Sequence, residues 1–200
     1  FWLVVAEYWF KRVIQGCVNY VNHSMSIVFA LIIWHVSRTN QSLRQYYISH
    51  LIHFDDWQIT QDFFLSLEEL WGAYTVDCFA DFYIAKLSRF FSRFWNPGAS
   101  GIDFFAQELS SENCLVVPPV SLVARVIHYL SLQKAMATLV VPSWPSSSFW
   151  RLLTSKYMWF IKGCFTLNAS QTLTLGRNLS SFLGSPRFTG EVVALRFEFL

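Results

Sequence analysis

Hydrophobic residues in the middle of the chain recur first with helical and then with strand-like spacing. Phe63, Leu67, Leu70 and Trp71 follow one another at i, i+4, i+7 and i+8, which predicts one face of a helix that ends at Gly72. Short apolar runs bounded by turn or proline residues predict buried strands. These runs cover residues 75–79, 115–117 and 138–141.

Two more helices are predicted between and after these strands. Val123, Val126, Ile127 and Leu130 lie on one helical face, and the serines at residues 146–148 can cap a third helix. Alternating strands and helices are typical of the βαβ unit. The predicted fold class is therefore α/β, with a mostly parallel, Rossmann-like sheet and flanking helices.

The two ends of the chain have different patterns. Residues 1–20 predict an amphipathic helix that ends near Gly16, and residues 27–36 predict a buried strand. Residues 167–190 form a tail rich in Ser, Thr and Gly, and residues 191–200 alternate enough for a final strand. We expect a domain boundary near residues 50–57, with one domain over residues 1–50 and another over residues 51–200.

Composition excludes several classes of protein. The 200 residues are 54% hydrophobic and 14% charged, with a formal net charge of +2. Disordered chains have few aromatic residues and high charge, and general polyanion binders are strongly basic. A small integral membrane protein stays an alternative, although the apolar run over residues 27–34 is shorter than the roughly 20 residues that a span needs. The four widely spaced cysteines favour reduced thiols in an intracellular protein.

Two features are candidates for chemistry. Ligands of open α/β sheets bind at the carboxyl ends of strands, where this chain places Asp77, Pro118-Pro119 and Trp144. The run Arg89–Trp95 mixes basic and aromatic residues as single-strand nucleic-acid binders do, although core packing is the better interpretation of so dense a run.

Several ordered blocks of the sequence resemble a segment of DIRS-like retrotransposon polyproteins. The resemblance extends over about residues 34–200 and rests on the blocks Phe54-Asp55-Asp56-Trp57, Trp71-Gly72, Thr75–Ala80, Phe91–Trp95, Pro118-Pro119 with Leu122-Val123, and Leu139–Ser146. In those elements the segment follows the reverse transcriptase and ribonuclease H. It is similar in layout to phage-type DNA N6-adenine methyltransferases.

The resemblance implies a role for each candidate residue. Asp77 would bind the cofactor, S-adenosylmethionine, and Pro118 and Pro119 with Trp144 would form the base pocket. In amino-methyltransferases an Asp or Asn before the Pro-Pro turn accepts a hydrogen bond from the target amine. This chain has Val117 there, which cannot accept one. We therefore expect a degenerate catalytic turn and no bound cofactor.

Residues 1–50 resemble the end of the preceding ribonuclease H domain. Tyr46 occupies the place of a metal-binding Asp of that family, and a phenol cannot replace a carboxylate that holds Mg²⁺. We expect no metal site and no cleavage of RNA in a hybrid.

The sequence thus predicts an intracellular fragment of a retrotransposon polyprotein, in the cytoplasm or nucleus, whose ancestral ribonuclease H and methyltransferase chemistry is lost. Its partners would be DNA or RNA–DNA hybrid through the parent polyprotein, with no membrane. The alternative within the same polyprotein is a non-catalytic module that scaffolds nucleic acid.

Overall fold

The computed structural model describes residues 57–176 and 181–199. Backbone contacts divide the chain between residues 52 and 53, so the described residues all belong to the second unit, His53–Leu200. The predictions for residues 1–50, including Tyr46 and the run over residues 27–34, lie outside the described residues. Within the two described ranges, no helix is both long and apolar enough to cross a membrane.

The described chain contains nine strands and four α-helices, together with three single 3₁₀ turns. The strands are β1 (Trp57–Ile59), β2 (Val76–Asp77), β3 (Phe91–Ser92), β4 (Gly101–Ile102), β5 (Asn113–Val116), β6 (Met136–Pro142), β7 (Ile161–Asn168), β8 (Leu173–Leu175) and β9 (Glu191–Glu198). The helices are α1 (Gln61–Trp71), α2 (Val123–Gln133), α3 (Ser148–Ser155) and α4 (Ala169–Thr172).

Five of these strands form one central sheet in the order β2-β5-β6-β9-β7. The pairs β2–β5 and β5–β6 are parallel, whereas β6–β9 and β9–β7 are antiparallel. The prediction of an α/β fold is confirmed, but the pairing is mixed and a mostly parallel sheet is not confirmed. The reason is that β9 returns between β6 and β7 and runs against the other four strands.

Local sequence signals set the ends of the predicted helices. The side chain of Thr60 accepts a hydrogen bond from the backbone N–H of Phe63 and so caps the start of α1. Gly72 ends that helix with φ of 81°, a conformation that glycine adopts without strain. Ser147 caps α3 in the same way through the N–H of Trp150. The predicted helices over these segments are confirmed.

Helices cover the central sheet on both faces. Phe63, Phe64 and Leu67 of α1 pack with one set of strand residues, which includes Leu115 and Val140. The buried residues of α2 and α3 pack on the other face with alternate strand residues. Burial on both faces explains the continuous apolar sequences of β5 and β6.

The longest element that the sequence pattern missed is β7. The sequence predicts a tail rich in Ser, Thr and Gly over residues 167–190, yet β7 extends into it, and α4 and β8 follow. Half-buried and exposed residues alternate along all eight positions of β7. This period of two is the signal of a strand with one covered face, and it is visible in the sequence from Ile161 onward.

A buried polar network joins three neighbouring strands inside the sheet face that α1 covers. The guanidinium of Arg196 donates to Asn113 Oδ1 at 2.6 Å and to Thr138 Oγ1 at 3.4 Å. The hydroxyl of Tyr74 donates to Thr138 Oγ1 at 2.8 Å. Burial raises the pKa of Tyr74 to about 12, so this hydroxyl keeps its proton at neutral pH. The network therefore links β5, β6 and β9 across their shared face.

We expect Asn113→Ala to lower the free energy of unfolding by about 3 kcal/mol, because it leaves the buried charge of Arg196 without its closest acceptor. The double variant Asn113→Ala/Arg196→Met removes that charge and should recover part of the loss. Urea unfolding of the full chain measures both. A double variant that is as unstable as the sum of its two single variants would contradict a charge-based role for the network.

Candidate functional site

Asp77 lies where β2 ends, at the edge of the sheet to which the carboxyl ends of β2 and β5 point. The backbone N–H of Cys78 donates to the carbonyl of Leu115 at 2.9 Å, which continues the parallel pairing one residue beyond Asp77. The side of Asp77 away from β5 is held by its own N–H, which donates to the carbonyl of Arg89 at 3.1 Å. Neighbouring backbone on both sides therefore fixes the position of this carboxylate.

The carboxylate of Asp77 is 4% exposed. Burial raises its pKa to about 6, while the backbone N–H groups of Lys86 and Phe79 and the charge of Lys86 act in the opposite direction. The bond from the Lys86 N–H to Asp77 Oδ2 is 3.0 Å long. Burial therefore disfavours the ionised form of Asp77 more than these contacts with Lys86 and Phe79 favour it.

Lys86 and Gln58 extend this arrangement to β1. The ammonium of Lys86 donates to Gln58 Oε1 at 3.1 Å, and Gln58 Nε2 donates to the carbonyl of Leu175 at 3.1 Å. Burial lowers the pKa of Lys86, and the nearby charge of Asp77 opposes that shift. The three side chains of Asp77, Lys86 and Gln58 therefore combine a carboxylate, an ammonium and an amide around one small volume.

That volume is a cleft between β1 and the carboxyl ends of β2 and β5. Its lining residues come from four separate stretches of the chain. They are Trp57, Gln58, Ile59, Asp77, Phe79, Ala80, Ile84, Lys86 and Val117. The volume is about 10 Å³, which is room for about one water molecule. Cofactor pockets are usually some 300–1,000 Å³, so the cleft in this conformation does not fit S-adenosylmethionine.

The predicted Pro-Pro turn lies directly beside the cleft. Strand β5 ends at Val116, one residue earlier than predicted, and Val117 lines the cleft. Pro118 is buried, and Pro119 leads into the 3₁₀ turn Val120–Leu122 that precedes α2. The structure thus brings Asp77 and the residue before the Pro-Pro turn to the same place.

Trp144, predicted for the base pocket, lies elsewhere. It is not among the cleft residues. Its ring contacts that of Phe188 almost perpendicularly, with 6.1 Å between the ring centroids. The carbonyl of Trp144 accepts from both the N–H and the hydroxyl of Ser147. Trp144 is partly buried in the segment between β6 and α3, and its role in a base pocket stays a prediction.

Sequence reasoning missed Gln58 and Lys86. Both residues reach the cleft from segments with no periodic pattern, since β1 has three residues and Lys86 lies in the loop after β2. An isolated Gln or Lys carries no spacing signal. The tertiary partners alone identify these two residues.

The described cysteines are free thiols. Cys78 and Cys114 are buried and Cys164 is exposed, while Cys17 lies outside the described residues. Burial and the neighbouring Cys114 raise the pKa of the Cys78 thiol well above its usual value, so this thiol stays protonated and unreactive. In residues 57–176 and 181–199, no group of three or more His, Cys, Asp and Glu side chains could hold a metal ion.

A larger cleft opens on the other face of the sheet, between α3 and β7. It has a volume of about 230 Å³, and Trp150, Leu153, Met158 and Cys164 are among its lining residues. None of the side chains predicted for chemistry lines it. The cleft at Asp77 is therefore the candidate site despite its smaller size, because it joins charged and polar groups at the carboxyl ends of parallel strands and the larger cleft does not.

No protein-family model matches the sequence, and no curated protein matches it.

The elevated pKa of Asp77 predicts how its variant responds to pH. Between the ordinary value of 3.8 and about 6, the native state binds more protons than the unfolded chain, so Asp77 contributes less stability as the pH rises. Asp77→Asn has no proton to lose and can still accept from the N–H of Lys86. We expect its stability relative to the parent chain to increase by about 2 kcal/mol from pH 4 to pH 7.

Urea unfolding of both chains across this pH range measures the difference. Because the same two chains are compared at each pH, the other carboxyl groups cancel from it. An effect of Asp77→Asn that is equal at pH 4 and pH 7 would show that Asp77 titrates normally.

Proposed function

We propose that the chain carries a degenerate methyltransferase-like domain of a DIRS-like retrotransposon polyprotein, without catalytic activity. One observation supports this most. Residues from two separate blocks of the sequence resemblance, namely Trp57 and Asp77 with Phe79, line one cleft together with Val117, the residue before the Pro-Pro block. These segments are 20 to 40 residues apart in sequence, and their meeting at one cleft supports the proposal.

The position of the cleft agrees with this proposal. Strands β2, β5 and β6 are parallel neighbours, and α2 connects β5 to β6 as in a βαβ unit. In open α/β sheets of the Rossmann type, ligands bind outside the carboxyl ends of such strands. Asp77 occupies that edge, where a carboxylate can accept hydrogen bonds from ribose hydroxyls or an amino group.

Two features oppose methyl transfer in this chain. Val117 lines the cleft at the position where the resemblance implies an Asp or Asn, and its side chain offers no acceptor to a target amine. In this conformation the cleft has a volume of about 10 Å³, which is too small for S-adenosylmethionine and supports the proposed loss of cofactor binding.

The rest of the proposal follows from the resemblance. The N-terminal 50 residues would be the end of a ribonuclease H-like domain, in which Tyr46 replaces a metal-binding carboxylate. The partners of the parent polyprotein would be DNA or RNA–DNA hybrid, and it would act in the cytoplasm or nucleus. An open reading frame for a reverse transcriptase directly upstream of Phe1 in the genome would support this origin, and an unrelated frame there would contradict it.

Titration calorimetry with S-adenosylmethionine tests the loss of the cofactor site. We expect no saturable binding to the parent chain, because the cleft has room for about one water molecule. Val117→Asn is the matched variant, since it restores an acceptor without enlarging the cleft. We expect no methyl transfer to an adenine-containing oligonucleotide from either chain.

Saturable binding at micromolar concentration by the parent chain would overturn the view that the site is inactive. Loss of such binding in Asp77→Asn would then assign the ligand to this cleft. Methyl transfer by Val117→Asn alone would show that valine is the sole block and that the cleft opens in solution.

A further inference from the structure

The larger cleft, between α3 and β7, has the size of a site for a single ring system. Its volume of about 230 Å³ is below the 300–1,000 Å³ that is usual for drug-sized ligands and cofactors. Helix α3, the 3₁₀ turn Met158–Phe160 and strands β7 and β9 supply its walls. The apolar residues of these walls are Trp150, Leu153, Met158, Ile161, Val193 and Leu195. We call it the α3–β7 cleft.

The polar groups of the α3–β7 cleft are uncharged. Ser143, Thr154 and Thr166 bring hydroxyl groups to its lining, and none of the described lining residues carries a carboxylate. The hydroxyl of Thr154 donates to the carbonyl of Trp150 at 3.0 Å, and a hydroxyl that donates to the backbone in this way can still accept from a ligand. Apolar walls with a few hydroxyls suit a planar heterocycle, whose faces stack and whose edges form hydrogen bonds.

The stretch of chain that forms most of this cleft is strongly basic. Residues 113–190 contain no Asp or Glu, so all 13 acidic residues of the chain lie outside this stretch. The formal net charge of +2 therefore conceals a stretch with a formal charge of +7. Its basic residues are Arg125, Lys134, Arg151, Lys156, Lys162, Arg177 and Arg187.

Two of these cations lie next to the α3–β7 cleft. Arg151 is exposed and directly follows the lining residue Trp150 in α3, and Lys162 is an exposed residue of β7. The ammonium of Lys162 donates to the carbonyl of Trp159 at 3.3 Å, which puts it beside the 3₁₀ turn that contributes to the cleft. Neither cation is paired with an acidic side chain of the described residues. An anionic group at the edge of the cleft would thus meet positive charge.

We propose that the α3–β7 cleft binds a nucleotide, with the base inside the cleft and the phosphate beside Arg151 and Lys162. The volume admits one base, the Trp150 ring offers a surface for stacking, and the two cations can bond to phosphate oxygens. A free mononucleotide and an unpaired nucleotide of a strand share this chemistry. A base that is paired in a duplex hides its faces and does not fit.

This inference goes beyond the proposed function and uses no residue of the cleft at Asp77. Its experiment contains no S-adenosylmethionine, so its failure and the failure of the proposed function are distinguishable.

Two titrations of the full chain test the proposal and separate the two sources of the nucleotide. Fluorescence anisotropy compares a labelled oligothymidine of about 16 nucleotides with an abasic strand of the same length and charge. Since stacking depends on bases, we expect the abasic strand to bind roughly 5- to 150-fold more weakly. Calorimetry compares thymidine 5′-monophosphate with inorganic phosphate. Saturable binding of the mononucleotide alone supports the free nucleotide as the ligand, and base-dependent binding of the strand supports the strand.

Thr166→Trp tests the cleft itself, because its ring would fill the cleft from an exposed position of β7. We expect it to weaken the base-dependent binding by the same 5- to 150-fold factor. Asn168→Trp is the matched control, since Asn168 is an exposed residue of the same strand that does not line the cleft. It should leave the Kd unchanged.

Arg151→Gln tests the phosphate contact. It should make the slope of log Kd against log salt concentration for the strand less steep by about 0.7, the contribution of one neutralised phosphate in a single strand. Arg187→Gln is its matched control, because Arg187 is exposed and its neighbour Phe188 packs in the cluster on the α1 side of the sheet.

Far-UV circular dichroism and thermal unfolding show whether each variant keeps its fold. Absence of base-dependent binding in both titrations would overturn the proposal. So would binding that a folded Thr166→Trp variant leaves unchanged, or binding to phosphatidylcholine/phosphatidylserine vesicles in place of both nucleotide probes.

Discussion

Burial of the central sheet on both faces is the constraint on which the described structure depends. A strand covered on both sides exposes no face to water, so its residues are apolar or must satisfy their polar groups internally. Most residues of β5, β6 and β9 are apolar. The polar exceptions are satisfied internally, because Asn113 and Thr138 each accept a hydrogen bond from Arg196. The candidate cleft lies at the carboxyl ends of β2 and β5.

The same constraint explains which elements the sequence predicted well. Helices α1 and α2 each bury one face against the sheet, so their apolar residues recur with the helical period and their positions could be read directly. The mixed strand pairing could not be predicted in this way, because no local pattern in β9 indicates whether it pairs parallel or antiparallel to its neighbours. That choice depends on where the chain goes after α3. Strand β7 carried an alternating pattern that a search for fully buried strands passes over.

Some residues of the candidate site could likewise be predicted from the sequence, and others could not. Asp77 and Val117 could be placed because they end predicted strands, and strand ends share an edge in parallel sheets. Gln58 and Lys86 could not be predicted as site residues, because a three-residue strand and a loop bring them into contact only in the folded chain. Trp144 followed a predicted strand as well. Its ring packs on Phe188, which shows that a position after a strand does not determine where a side chain points.

The buried carboxylate of Asp77 is informative because its ionisation has an energetic cost. With a pKa of about 6, this buried group is mainly ionised at neutral pH, and an uncharged side chain there would be more stable. Simple packing therefore does not account for a carboxylate at this position. Inheritance from a site that once used its charge does account for it, and so does present use with a ligand that opens the cleft. Val117 argues for the first explanation, since an active site that kept its acid for transfer to an amine would also need an acceptor before the Pro-Pro turn.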